Sequence, residues 1–290
     1  MIKPVVLITG CSSGLGLALA KHLVTLKKYR LIISARDQSI HKIKEFFDED
    51  QDLMILELDM TQNIQINRVV SEVVKNWGSI DVVVNNAGIC FRSVVEHMDP
   101  ESEAIQLQTN YLGPMSLIRA VLPLMREKQQ GKIINISSVS GLMSMPTMSS
   151  YSASKHALEG ATESLWYEAK PYGIQVCLIE PGFIHSDSFK NVVMSKKADL
   201  SQRLNGPHSE YYYSMEPLVE KLMRLAAATP ESIAVKIEKI IQHRNPPLRV
   251  QVTLDAQIFY FLRRWLPARL FHHVMYYLLP GSQAWGSMRP

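Results

Sequence analysis

The chain is poor in the features that would mark a disulfide-rich, metal-binding or membrane-spanning protein. It has 3 cysteines in 290 residues (Cys11, Cys90 and Cys177), with no C-x-x-C pair. That argues against a disulfide framework and for reduced thiols in a cytoplasmic setting. Its 9 histidines lack metal-ligand spacing, and the one adjacent pair, His272–His273, reads as helix surface. No metal is expected on that basis. No uncharged apolar run reaches the ~18–20 residues that a spanning helix needs. The N-terminal stretch MIKPVVLITG lacks the charged-then-apolar pattern of a leader peptide. No dense Lys/Arg block accompanies the net charge of +4, so nucleic acid is not expected as a partner. Internal repeats and low-complexity tracts are also missing. What remains is an ordinary globular composition, 47% hydrophobic and 20% charged.

Strand-like and helix-like patterns alternate through residues 5–180. Short apolar, β-branched runs fall at 5–9, 31–35, 53–58, 82–84, 132–137 and 174–179, with helical patterns between them. This alternation predicts a single Rossmann-type α/β fold, a doubly wound parallel sheet of about seven strands with helices on both faces. In such a sheet, ligands lie at the C-terminal ends of the strands. Residues 1–253 are expected to form this unit, and 254–290 a helical C-terminal tail. Residues 100–128 read as one long helix containing Asn110, kinked at Pro114 or Pro123.

The chemistry-bearing residues sit at those strand ends. After the first strand comes Gly10-Cys11-Ser12-Ser13-Gly14-Leu15-Gly16, then a helix. Glycines let a backbone approach phosphate, and a helix N-terminus offers free N–H groups and partial positive charge. Arg36 follows the second strand, about 20 residues past the glycines, where dinucleotide folds read the adenosine ribose. A cation there matches a 2′-phosphate, so the expected cofactor is NADP(H) rather than NAD(H). Asp59 ends the third strand, and Asn86-Ala87-Gly88 follows the fourth. Ser138 follows the fifth strand. Tyr151 and Lys155 are one helical turn apart on the next helix. A cation beside a phenol lowers its pKa, which suits Tyr151 to proton transfer.

Residues 186–228 depart from the alternation. Tyr211-Tyr212-Tyr213, Met215, Leu218, Leu222 and Met223 suit a lid over an apolar substrate, although a plain surface excursion would look similar. In the tail, Pro267 divides two helical pieces in which bulky apolar residues alternate with Arg263, Arg264 and Arg269. Three readings stand: peripheral membrane contact, a cover for the protein's own pocket, or a subunit contact.

In order and spacing, TGCSSGLG, Asp59, NNAG, Asn110, Ser138, YSASK and Pro181-Gly182 resemble a short-chain dehydrogenase/reductase over roughly the first 190 residues. SVSGLMSMP, YSASKHALEG and PGFIHS are similar to its 17β-hydroxysteroid and retinol dehydrogenase branch. The resemblance implies an NADP(H)-dependent oxidoreductase that interconverts a carbonyl and an alcohol on a bulky hydrophobic substrate. It implies Tyr151 as general acid and Lys155 as ligand of the nicotinamide ribose. Ser138 would hold the substrate oxygen, and Asn110 would anchor a relay water. Gly10, Ser12, Ser13, Gly14, Leu15, Gly16, Arg36, Asp59, Asn86, Ala87 and Gly88 would line the adenosine and phosphate side. Pro181, Gly182, Ile184 and Ser186 would border the nicotinamide. Family members often form homodimers through helices corresponding to 100–128 and 150–170. The alternative is an NADP(H)-binding sensor or scaffold without chemistry. Such proteins typically lose one of the four catalytic positions, and all four are present here.

Overall fold

A computed structural model describes residues 3–186 and 192–286. In chain order, β1 (Val5–Ile8), α1 (Gly14–Leu26), β2 (Arg30–Ala35), α2 (Asp37–Lys44) and β3 (Leu53–Glu57) form the first half of the sheet layer. Next come α3 (Asn63–Trp77), β4 (Val82–Asn85), the short β5 (Phe91–Arg92), α4 (Pro100–Leu107) and α5 (Gly113–Lys128). β6 (Gly131–Ile136), α6 (Ser149–Ala169) and β7 (Ile174–Glu180) follow. The remainder holds β8 (Val193–Met194), α7 (Lys196–Leu204), α8 (Ser209–Leu225), α9 (Pro230–Gln242), β9 (Arg249–Gln251), α10 (Leu254–Trp265) and α11 (Ala268–Leu278).

Among the described residues, seven strands form one sheet in the order β3-β2-β1-β4-β6-β7-β9. Every pairing in it is parallel. The chain winds outward from β1 in one direction and from β4 in the other, so the crevice between those two strands is the topological switch point. Alternate residues of β1 enter opposite layers. Val6 and Ile8 pack with Leu19 and Leu23 of α1 and with Ile233 and Ile237 of α9. Val5 and Leu7 pack with Ile66 and Val69 of α3 and with Leu117 and Val121 of α5. Both faces of the strand are therefore covered, which explains why it reads as an unbroken apolar run.

Two sequence expectations change. The long helix over 100–128 is interrupted by a π-helical turn at Gln108–Leu112, which divides it into α4 and α5. Pro114 sits in the first turn of α5, where its missing N–H costs little. The second change is a two-stranded parallel ladder between β5 and β8, too short to be legible as strands. It ties the segment after β7 to the body. Residues 187–191 of the expected lid and 287–290 of the tail lie outside the described residues.

Candidate active site

The glycine turn between β1 and α1 is shaped for a phosphate. Gly10 has φ +73° and Gly14 φ +55°, backbone that side chains rarely adopt. A Cβ on Gly10 would lie 2.7 Å from the Ala87 Cα. Nothing lies within 4 Å of a Cβ placed on Gly14, which faces open space. Ser13, the residue preceding α1, makes no side-chain cap, and the first turn of α1 carries no acid. The first N–H groups of α1 thus have no local competitor for an anion. The NNAG loop is pinned to this turn: Thr9 Oγ1 accepts from Asn86 N and Ala87 N, each at 3.0 Å. Asn86 Nδ2 donates to Thr9 O and Gly10 O at 2.9 and 3.0 Å. Asn86 therefore shapes the turn as well as lining the cavity.

One cavity of about 680 Å³ collects nearly every residue singled out from the sequence. Gly10, Ser12, Ser13, Gly14, Leu15, Gly16, Arg36, Asp59, Asn86, Ala87 and Gly88 line one end. Ser138, Tyr151, Lys155, Pro181, Gly182, Ile184 and Ser186 line the other. Asn110 stands just behind, its Oδ1 accepting from Ile89 N at 2.9 Å. Four features were not foreseen. Ser39 and Lys42, on the helix after Arg36, share its part of the wall. Met145 and Met148 join Met215 and Met223, the two methionines expected from the sequence, in a methionine-rich wall. Phe183 also lines it, and Phe183 N donates to Asp255 Oδ2 at 2.7 Å. Gly182 N donates to Thr253 Oγ1 at 2.9 Å, so the start of α10 holds the loop after β7. Thr253 capping a helix that begins with an acid is a readable signal, but its target across the fold is not.

The geometry around Tyr151 refines the expected roles. Tyr151 lies in the first turn of α6, and the Lys155 Nζ is 5.8 Å from its ring centroid. Lys155 is buried and donates to the Ile136 carbonyl at 2.8 Å. Burial depresses its ammonium to about 8, opposed by the nearby Glu159 carboxylate and Cys90. Burial also raises the Tyr151 phenol above its ordinary value, with Cys90 adding to the rise and the Ser138 hydrogen bond opposing it. The rise of the phenol comes first from desolvation, which the spacing of Tyr151 and Lys155 does not reveal. The Ser137 hydroxyl donates to Glu159 Oε1 at 2.6 Å, leaving Ser138 as the serine that faces Tyr151.

Both N–H groups of the Asn110 side-chain amide are engaged, and Oδ1 keeps room for a second donor. Its Nδ2 donates to Ile89 O at 2.9 Å and to Ser154 Oγ at 3.0 Å, while Oδ1 accepts from Ile89 N.

Described residues of the segment after β7 are pinned to the body near this cavity. Ser195 Oγ donates to His97 O at 2.7 Å, and the buried Tyr212 hydroxyl meets His97 Nδ1 at 3.0 Å. His208 Nε2 lies 2.8 Å from Glu96 Oε2. The fold thereby gathers Glu96, His97 and His208, with donor atoms within 4.8 Å of one another. No spacing in the sequence announced this group.

Residues 4–197 match the short chain dehydrogenase family. The protein belongs to that family and is an oxidoreductase of the nicotinamide-dependent kind. It is 32% identical over 280 residues to a 3-ketodihydrosphingosine reductase of Bacteroides thetaiotaomicron, covering 95% of this chain and 97% of that one. It is 31% identical to human retinol dehydrogenase 8, covering 86% and 81% of the two chains. Its fold superposes on the structure described as ElxO with NADP bound with a TM-score of 0.70, at 25% identity over 86% of this chain and 97% of that one.

Proposed function

We propose that the protein is an NADP(H)-dependent reductase, or the reverse dehydrogenase, that interconverts a ketone or aldehyde and an alcohol on a bulky hydrophobic substrate. The observation that carries this reading is a single cavity: it runs from the glycine turn and Arg36, past Ser138, Tyr151 and Lys155, to a wall of methionines. The residues fit the cofactor, since Gly14 leaves open space for a pyrophosphate at the uncapped start of α1, while Gly10 lets the turn close against Ala87. Arg36, with Lys42 and Ser39 beside it, offers the cations and hydroxyl that suit a 2′-phosphate. Asp59, Asn86, Ala87 and Gly88 border the adenosine side. Pro181, Gly182, Ile184 and Ser186 border the nicotinamide side.

Bound nicotinamide supplies hydride in one direction and accepts it in the other. The chain's own residues handle the proton and the oxygen. Tyr151, protonated at neutral pH, donates its phenolic proton to the carbonyl oxygen, and Ser138 donates a hydrogen bond to the same oxygen as charge develops there. Lys155 holds the ribose hydroxyls and replenishes the proton on Tyr151. Asn110 would anchor the relay water that returns the proton to Lys155. The names of the two relatives and the methionine wall support an apolar, lipid-like substrate.

The test is NADPH oxidation with long-chain ketone, retinal and steroid ketone substrates. Tyr151→Phe is expected to lose about 10²–10⁴ in kcat/KM while NADPH still binds. Undiminished turnover in that variant would sink the mechanism. Tight NADPH binding with no turnover across the whole panel would leave a cofactor-binding sensor instead.

A further inference from the structure

Each of the two tail helices has two apolar faces, and the fold uses only one of them. On the inner side, Phe259 and Leu262 of α10 and Phe271 of α11 pack with Val139, Met143 and Met145. Val139 and Met145 also line the catalytic cavity, so the tail backs its wall. That resolves one of the three readings of the tail: it covers the protein's own site.

The outer side is the unexplained one. On α10, Leu254, Ile258, Phe261 and Trp265 fall at the spacing of a single helix face and are all exposed, Leu254 at 72% and Trp265 at 68%. On α11, Leu270, Val274, Tyr277 and Leu278 repeat that spacing and are also exposed. Eight large apolar residues at helical period exceed the scattered singles normal for a soluble surface. Nothing among the described residues covers them. The free charges on the two helices are of one sign. Arg263, Arg264 and Arg269 are exposed between the stripes, and the only acid of the two helices, Asp255, is engaged with the loop after β7. No helix among the described residues is long and apolar enough to cross a membrane.

We propose that α10 and α11 form a peripheral docking face for an anionic lipid surface, lying in the interface with Phe261, Trp265, Leu270 and Tyr277 inserted and Arg264 and Arg269 at headgroup level. Exposed apolar stripes flanked by arginines and interfacial aromatics are what that environment selects. A second copy of the chain would bury the stripes, but it would set the arginines of one copy against those of the other. An anionic surface neutralises them. The assignment stands on the outer face alone and does not depend on the substrate or on turnover.

The experiment is co-sedimentation of the full chain with phosphatidylcholine vesicles and with phosphatidylcholine–phosphatidylserine vesicles at roughly 2:1, with tryptophan fluorescence read in parallel. We expect binding to the anionic vesicles, with a blue shift in emission that is lost in Trp265→Phe. The double variant F261S/W265S should bind at least about tenfold more weakly, since each lost aromatic forfeits apolar burial. R264E/R269E should lose about thirtyfold or more on anionic vesicles and little on neutral ones. Unchanged NADPH binding and circular dichroism in each variant show that it has folded. No binding to anionic vesicles, or binding indifferent to both double variants, overturns the proposal. A wild-type dimer converted to monomer by F261S/W265S, without vesicle binding, assigns the face to a second copy instead.

Discussion

Lys155 is asked to stay charged in a place that disfavours charge. It is buried beneath the cofactor cavity, and burial holds it at about 8, with the Glu159 carboxylate one helical turn further along opposing the fall. A base whose folded value is depressed loses its proton earlier as pH rises, so the active cation is present below about pH 8 and lost above it. The pH profile of kcat/KM should therefore fall on an alkaline limb near 8, because that ratio reports the free enzyme. Glu159→Gln removes a charge that raises Lys155 and should move the limb to lower pH. A limb that stays in place in this variant would remove Glu159 from that role. Tyr151, Lys155 and Ser138 were legible because a helix places i and i+4 on one face and a strand alternates its side chains. The direction of the phenol's shift was not, because desolvation depends on what surrounds the group in three dimensions.

The elements were legible where their hydrophobic period was long. β1, β2, β6 and β7 are apolar runs covered on both faces, and the alternation of strand and helix left little choice of topology. The π turn at Gln108–Leu112 and the β5–β8 ladder escaped notice, since neither spans a full period of any pattern. One strand residue also does a helix's work. The buried Lys132 Nζ donates to the carbonyls of Ile240, Ile241 and His243 at 2.9, 2.6 and 2.7 Å, capping the C-terminus of α9 from β6. Lys132→Met keeps the aliphatic stem and strips all three carbonyls of their donor. It should cost about 2–4 kcal/mol of stability, read as a lower midpoint in denaturant with NADPH absent. A midpoint within error of wild type would show that water caps the helix equally well.

At the scale of the whole molecule, the cavity joins α1 on one face of the sheet to loops after β4, β6 and β7 and to α8 across its end. A ligand filling it binds the folded chain only. At a hundredfold excess over its dissociation constant, NADPH should add about 2.7 kcal/mol of stability, which raises Tm by several degrees. Arg36→Asp should remove most of that shift for NADPH at a fixed concentration and keep or improve it for NADH. Equal shifts for the two cofactors in both proteins would mean that Arg36 does not read the 2′-phosphate.

The alternation of strand and helix, the glycine turn and the spacing of Arg36, Ser138, Tyr151 and Lys155 were legible in the sequence alone, because each rests on periods and spacings within short stretches of chain. Only the tertiary structure decided the rest. Thr253 and Asp255 reach back about 70 residues to hold Gly182 and Phe183. His97 and Tyr212 meet across 115 positions and tie α8 to the segment before α4. The Asn110 side-chain amide joins Ile89 to Ser154, across 21 and 44 positions. The tail, ambiguous as a string of apolar residues and arginines, separates into an inner face that backs the site and an outer face that remains bare. Contacts between distant parts of the chain carry no local period, and desolvation is a property of the packed neighbourhood, so neither is written in the spacing of residues.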